Sequence, residues 1–201
     1  MRNRILPACL VFASAYFLFL LMWIQIKPYY GSFLTYLGAH LAGATAGLEL
    51  DKINHDRDVA RITYARTVMS KGNVGEVLLD LRVSVSNYSF NVPLSFAMAA
   101  GLFVFFKWRW RYIIEISVFL ILVHILYIYS YCTLNGFKEL SKAGLEDPSA
   151  AVQFLLQFIW AFTDNMVIRF EPFLVAAYLW LRNRASHDET GNAFNDRKGK
   201  R

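Results

Sequence analysis

The sequence predicts an α-helical polytopic membrane protein with four transmembrane helices, a small extracytoplasmic β-module and an interfacial helix. Hydrophobic residues occupy 56% and aromatic residues 16% of the 201 positions, which is more than a soluble domain usually carries. The apolar residues are concentrated in long runs, as in polytopic membrane proteins. Basic residues cluster at the ends of these runs, and every short-loop cluster falls on one side when four spans alternate.

The apolar runs and the segments between them divide the chain into parts with distinct compositions. The predicted boundaries are 1–27 for the N-terminal end and first span, 28–48 for the interfacial helix, 49–87 for the β-module, 88–106 for the second span, 107–111 for a cytoplasmic turn, 112–133 for the third span, 134–149 for an extracytoplasmic loop, 150–182 for a long kinked fourth span and 183–201 for a basic, disordered cytoplasmic tail. This order predicts that both termini lie on the cytoplasmic side.

The first span is the almost wholly apolar run Ile5–Ile26, whose length of about 22 residues matches a bilayer core. Two arginines precede this run and favour a cytoplasmic N-terminus. The next stretch, Gly31–Gly47, has leucines at helical spacing among small residues. It is short for a span and too apolar for an exposed helix, so we interpret it as a helix on, or dipping into, the outer face. The spacing of Gly38 and Ala42 also permits close contact with another helix.

The β-module begins at Glu49, where charges of both signs start to alternate with β-forming residues. Arg61–Val68 is typical of a strand, and Val77–Ser86 alternates apolar and polar residues over most of its length. Turn-forming residues in Ser70–Gly75 connect the two, and a third strand is predicted near Leu48–Ile53. Because two or three strands are marginally stable alone, the apolar face requires cover from the interfacial helix or from another protein.

The second and third spans form an apolar hairpin, Phe90–Tyr131, around the basic pentapeptide Lys107–Arg111. This pentapeptide interleaves three positive charges with two tryptophans. Cationic loops are retained in the cytoplasm and tryptophan prefers the headgroup layer, so the pentapeptide is predicted to be a cytoplasmic turn.

The fourth span contains a group of polar residues that is unusual for a membrane helix. The members of this predicted intramembrane polar cluster are Asp164, Asn165, Arg169 and Glu171. Counted from Trp180, Arg169 lies about 16 Å deep at 1.5 Å per residue and therefore needs a partner. Its partner is expected to be Asp164, Asn165, or else a carboxylate or His124 on another span.

The same cluster lies next to Pro172, which leaves the carbonyl near Ile168 without its helical donor and available to a polar network. Two interpretations of the cluster stay open. Its members either pair within a kinked helix or form a functional intramembrane site.

Three further residues are candidates for chemistry in the third span. His124 lies beyond the middle of the span. It either makes a hydrogen-bonded contact with another helix or acts as a catalytic or proton-carrying residue. Glu115 follows Arg111 by one turn, which predicts an interfacial ion pair. Cys132, His124 and Arg169 together supply a nucleophile, a base and an oxyanion partner. The alternative function is therefore a membrane-embedded cysteine peptidase or transpeptidase.

Other classes of function find no support in the sequence. The two cysteines, Cys9 and Cys132, give neither a disulfide framework nor a metal-binding spacing. Glycine-rich nucleotide loops and a serine elbow are absent from the sequence, so we expect no cofactor and no metal. The net charge of +6 is explained by orientation signals and anionic headgroups, so nucleic acid is not an expected partner. The expected partners are the bilayer and either another integral membrane protein or a second copy of the chain.

The layout resembles a known family. A single N-terminal anchor and a short β-segment precede Tyr88–Leu94, which opens a span, and Pro172 precedes an aromatic end at Trp180. Together these features are similar to the small exosortase-associated inner-membrane proteins of Gram-negative bacteria, over most of 5–182. The resemblance implies a multi-pass protein of the bacterial inner membrane that is an accessory partner of a protein-sorting transpeptidase. It implies no catalytic residues.

The leading hypothesis from the sequence is a non-enzymatic accessory or assembly protein. Its β-module, its interfacial helix and its spans would hold a membrane partner. The absence of a catalytic motif and the apolar face of an undersized β-module motivate this hypothesis.

Overall fold

The computed structural model describes residues 2–70, 73–105 and 109–198 and shows long helices with one small sheet. The elements in chain order are α1 (Arg2–Ala46), β1 (Glu49–Asp56), β2 (Val59–Ser70), β3 (Asn73–Ser84), α2 (Val85–Ser89), α3 (Val92–Leu102), α4 (Trp110–Lys142), α5 (Ala150–Phe162), a π-helix (Thr163–Ile168) and α6 (Arg169–Lys198). Two predicted turns fall partly outside the described residues: Lys107 and Trp108 of the basic turn, and Lys71 and Gly72 of the β-hairpin.

Three helices in the described part of the chain are long and apolar enough to cross a membrane. They are Arg4–Ala46, Trp110–Lys142 and Ala150–Arg184, and they fit the predicted class of membrane protein. The predicted second span, 88–106, is not among them. Its longest helix, α3, has 11 residues, which is about 16 Å at 1.5 Å per residue and therefore half of a bilayer core.

Helices α2 and α3 nevertheless run antiparallel to α1 over a long distance. At one end, a Cβ on Gly31 would lie 2.7 Å from Val85 Cγ1. At the other end, a Cβ on Gly101 would lie 3.1 Å from Phe12 Cβ. The stretch of α1 between Phe12 and Gly31 is about 28 Å long, close to the thickness of a bilayer core.

The predicted interfacial helix is not a separate element. Helix α1 passes through Pro28 without a break and ends at Ala46, so 28–48 continues the first span. The physical reason is protein contact: Leu34 and Ala39 are fully buried, and a Cβ on Gly38 would lie 2.7 Å from Ile128 Cβ in α4. The small residues therefore permit close helix packing.

The three predicted strands are confirmed as one antiparallel sheet of order β1-β2-β3. Residues Ile62 and Leu81 are paired across β2 and β3, and their face of the sheet is buried. The buried members of this face include Ile62, Tyr64, Leu79, Leu81 and Val83. They form one core with α1 and α4, and the Tyr64 hydroxyl donates a hydrogen bond to the Ala39 carbonyl at 2.8 Å. The helices of the same chain thus cover the apolar face of the β-module.

Two helices extend past their predicted ends. Helix α4 continues to Lys142 instead of ending at 133, because Leu140 is fully buried and Gly136 packs against Leu48. The predicted extracytoplasmic loop is therefore helical in its first half. Helix α6 continues past 182 to Lys198, through most of the segment predicted to be disordered.

Side-chain interactions fix the sheet to the helices at the predicted outer end. Lys27 of α1 forms an ion pair with Asp58 in the β1–β2 turn. Asp58 also accepts hydrogen bonds from the hydroxyls of Ser84, at 2.6 Å, and Ser86, at 2.8 Å. Partial burial raises the pKa of Asp58, but these hydrogen bonds and the Lys27 charge outweigh it and hold the pKa below its usual range. A second pair, Arg66–Glu146 at 2.5 Å, joins β2 to the loop before α5.

Candidate functional site

Three helices bring ionisable side chains together in the interior of the protein. Tyr30 comes from α1, His124 from α4 and Glu171 from the first turn of α6. The π-helix before α6 changes the helical phase, because each π-turn holds one residue more than an α-turn. This change turns Glu171 towards α4.

The contacts of His124 define the site. Its Nδ1 lies 2.7 Å from the Tyr30 hydroxyl oxygen, and its Nε2 lies 3.4 Å from Glu171 Oε1 and 3.4 Å from Oε2. The side chains of His124 and Glu171 have no solvent exposure. The ring of Tyr30 meets the imidazole edge-to-face at 5.8 Å, and the ring of Tyr88 lies 5.5 Å away. Both imidazole nitrogens are therefore engaged within a protein-lined site.

Burial restricts the charge that this site can hold. An isolated carboxylate in a low-dielectric interior is strongly disfavoured, whereas a neutral pair or a compensated ion pair is tolerated. His124 and Glu171 satisfy this requirement when they share one proton, either as a neutral imidazole with a carboxylic acid or as imidazolium with carboxylate. The geometry can therefore hold one proton between two helices.

A second buried contact lies beside this pair. Pro172 has no N–H, so the carbonyl of Ile168 lacks its usual helical donor. The side-chain amide of Asn91, at the start of α3, donates to this carbonyl at 2.6 Å. The sequence predicted the freed carbonyl, and the structure adds its donor.

The predicted polar cluster is divided by the structure. Glu171 points inwards, whereas Asn165 and Arg169 are exposed on the outer surface of the helix and Asp164 is half-buried. Asn165 donates to the Ala161 carbonyl of its own helix at 3.0 Å, and Asp164 interacts with the hydroxyl of Tyr127. Among the residues that the structure describes, Arg169 has neither a hydrogen bond nor an ion pair.

The residues of the alternative cysteine site lie apart. Cys132 is 1% exposed and its thiol lies beside the Tyr64 hydroxyl. It is eight residues from His124 on the same helix, which is about 12 Å along the axis. Arg169 faces the outer surface, away from both. The structure therefore does not bring a nucleophile, a base and an oxyanion partner together.

Glu115 pairs differently from the prediction. Its Oε2 accepts a hydrogen bond from the Tyr178 hydroxyl at 2.5 Å, and its Oε1 lies 3.8 Å from Arg182 Nη2. Both partners lie on α6, so the expected pairing with Arg111 in the same helix is replaced by a contact between helices. This Glu115–Tyr178–Arg182 group marks the end of the α4–α6 contact opposite to the sheet.

Sequence reasoning missed the pairing of His124 with Glu171 and the role of Tyr30. Spacing within one helix contains no information on contacts between helices. The depth of a residue within its span does contain such information. At 1.5 Å per residue, His124 lies about 20 Å from Arg111, and Glu171 lies about 17 Å from Arg182. Two ionisable groups at similar depth on different spans are candidates for a pair.

Comparisons with family models, curated proteins and solved structures found no match to this chain. Within the described ranges, no three histidine, cysteine, aspartate or glutamate side chains are grouped as metal ligands would be. The assignment of function therefore depends on the geometry of the chain itself.

Proposed function

We propose that this chain is a four-span protein of the bacterial inner membrane, with both termini in the cytoplasm, that acts as a non-enzymatic accessory protein. In this proposal it binds a second integral membrane protein, and the family resemblance suggests a protein-sorting transpeptidase as that partner. The position of Arg169 carries the proposal.

The environment of Arg169 requires a partner. Arg182 lies about 20 Å further along α6 at 1.5 Å per residue, within a group at the opposite end from the sheet. If this group lies in one headgroup layer, Arg169 falls beyond the middle of a core about 30 Å thick. An arginine at this depth is rare and is normally paired. Its counter-charge is therefore expected to come from outside the described chain.

The side chains around Arg169 indicate the charge and polarity of the partner surface that would fit here. The neighbouring side chains Phe162, Phe170 and Phe173 are at least half exposed, so an apolar surface surrounds one cation. A membrane helix with a carboxylate among apolar residues matches this surface in both charge and polarity. The partner surface thus lies on α5 and α6, in addition to any contact through the β-module.

The number of spans is supported by the position of α2 and α3. Together they accompany α1 over about the thickness of a bilayer core. The break between them is compatible with membrane depth, because backbone that leaves helical geometry is tolerated where protein buries it. Asn91, at this break, is 3% exposed.

Site-specific photocrosslinking of the full-length chain in its native membrane tests the proposal. A crosslinker at Phe173 should capture one membrane protein whose crosslinked segment contains an aspartate or glutamate within a span. Arg169→Gln should reduce the yield at least tenfold, whereas Arg61→Gln, on the exposed face of the sheet, should leave it unchanged. Exchange of the two charges between the chains should restore capture. Equal yields from all variants, or processing of a tagged substrate by the purified chain alone, would contradict the proposal.

A second candidate function is favoured by the His124–Glu171 pair, which is suited to carry a proton. In this alternative the chain couples proton binding to a movement of α6 against α4. The test compares Glu171→Gln, which removes the carboxyl group of the pair, with Glu146→Gln, which changes a glutamate outside the pair. The same two variants should respectively abolish and retain any pH-driven flux in reconstituted vesicles. Flux that is identical in both would remove this candidate.

A further inference from the structure

A long groove lies between α4 and α6. It encloses about 700 Å³, with apolar side chains such as Val118, Leu122 and Leu174 along its walls. Its floor includes Ile116 and Val175, each 1% exposed. At 100° per residue, Leu174 is about 140° from Arg169 around the helix. Ala177, another lining residue, is about 80° from Arg169, and Phe170 is about 100° from it. The groove therefore adjoins the surface proposed for a protein partner along one wall.

One end of this groove is polar. Glu115 and Tyr178 line that end, and Arg182 approaches Glu115 there. The Arg182 side chain is 51% exposed. Arg111 is also exposed and precedes Glu115 by four residues, which places both on one face of α4. The apolar groove thus ends beside two arginines.

We propose that the groove binds an anionic phospholipid of the surrounding bilayer, with one acyl chain in the groove and the phosphate at Arg111 and Arg182. The volume is within the usual range for a small-molecule site, about 300–1,000 Å³. Guanidinium groups bind phosphate oxygens with paired hydrogen bonds, and basic pockets between membrane helices recognise anionic headgroups. This inference does not depend on the proposed partner protein.

The division of the groove matches the division of a phospholipid. The apolar length accepts hydrocarbon, and the polar end lies where tyrosine and arginine side chains reach the headgroup layer. Glu115 positions the Arg182 side chain, because it accepts a hydrogen bond from the Tyr178 hydroxyl at 2.5 Å and lies 3.8 Å from Arg182.

The test measures lipid retention by the purified full-length chain with native mass spectrometry. The probes are phosphatidylglycerol and phosphatidylcholine with identical acyl chains, added at equal concentration. Wild-type protein should retain phosphatidylglycerol at least tenfold more strongly. The double substitution Arg111→Gln and Arg182→Gln should remove this preference, whereas Arg61→Gln and Arg184→Gln should preserve it.

A groove-filling variant tests the acyl-chain part separately. Ala177 is exposed in the groove, so Ala177→Trp should fill it and abolish retention of both lipids. The matched control is Ala151→Trp, an exposed alanine on α5 outside the groove, which should retain both lipids like wild type. Val118→Trp provides a second groove-filling variant if Ala177→Trp misfolds.

Three results would overturn the inference. Equal retention of both lipids by wild type would exclude headgroup recognition. Retention that is unchanged in both groove-filling variants would place the lipid elsewhere. Photocrosslinking from Leu122 to a protein, instead of to lipid, would show that a helix occupies the groove.

Discussion

Arg169 and Glu171 are two residues apart on one helix, yet their environments are opposite. Glu171 has no solvent exposure and lies against His124, whereas Arg169 is exposed on the outer surface. Two residues rotate an α-helix by about 200°, so neighbours in sequence face opposite sides. Glu171 is paired with His124 of the same chain, whereas Arg169 has neither a hydrogen bond nor an ion pair among the described residues.

This contrast separates two roles that the sequence places in a single cluster. The inward-facing residue, Glu171, contributes to the packing of α6 against α4. Removal of Glu171 or His124 would leave the other polar side chain unpaired in a low-dielectric interior. The outward group contributes little to packing and is available to a ligand or partner. Stability measurements should therefore distinguish the two faces, and the following predictions are ordered by expected effect.

The largest effect is expected from Glu171→Ala. It leaves a cavity beside His124 and removes the acceptor at Nε2, and breaking a buried pair costs about 3–5 kcal/mol. The free energy of unfolding in detergent, measured by denaturant titration, should fall by this amount.

A double substitution controls for loss of the pair as a whole. His124→Leu with Glu171→Leu replaces both polar groups by apolar ones and should be less destabilised than Glu171→Ala, because no unpaired polar group remains. Equal destabilisation of the single and double variants would mean that cavity formation, and not pairing, dominates.

Asn91→Ala should have an intermediate effect. It removes the donor to the Ile168 carbonyl and leaves a buried acceptor unsatisfied, at about 1–3 kcal/mol. Asn165→Ala is the matched control, because Asn165 is exposed and bonds within its own helix. This control should change the unfolding free energy by less than about 0.5 kcal/mol. Similar losses for both variants would contradict the role assigned to Asn91.

Protonation of Asp58 should have a smaller effect. Its folded pKa is below the usual value because of Lys27, Ser84 and Ser86, despite partial burial. A depressed carboxyl pKa stabilises the fold above the unfolded pKa of about 3.9, and this contribution is lost as pH falls through the folded pKa. The side chain is 37% exposed, so we expect less than about 1 kcal/mol. Unfolding titrations between pH 6 and acid should show this dependence, with a reduced slope in Asp58→Asn.

The smallest effect on stability is expected from Arg169→Leu. In the described chain this arginine has no partner to lose, so the unfolding free energy in detergent should change by less than about 0.5 kcal/mol. Partner capture should still be lost. A destabilisation comparable to that of Glu171→Ala would mean that Arg169 has a structural role and would remove the main support for the accessory function.

Several local features could be predicted from the sequence because they depend on neighbours along the chain. Alternation from Leu79 to Val85 predicted the buried face of a strand, and Pro172 predicted a free carbonyl near Ile168. The prediction of a separate helix at 28–48 was wrong, because small residues are compatible both with a membrane surface and with a contact between helices. The pairing of Glu115 with Tyr178 and Arg182, instead of Arg111, also depended on which helix lies opposite.

The sequence by itself determined the long apolar helices, three of which could cross a membrane, and the three-stranded module, because hydrophobicity and alternation are local properties. Only the tertiary structure decided that α1 is continuous, that Glu171 meets His124 and that Arg169 points outwards. These outcomes depend on helical phase and on the packing of elements far apart in the chain. A single π-helix changes that phase, and composition does not encode it.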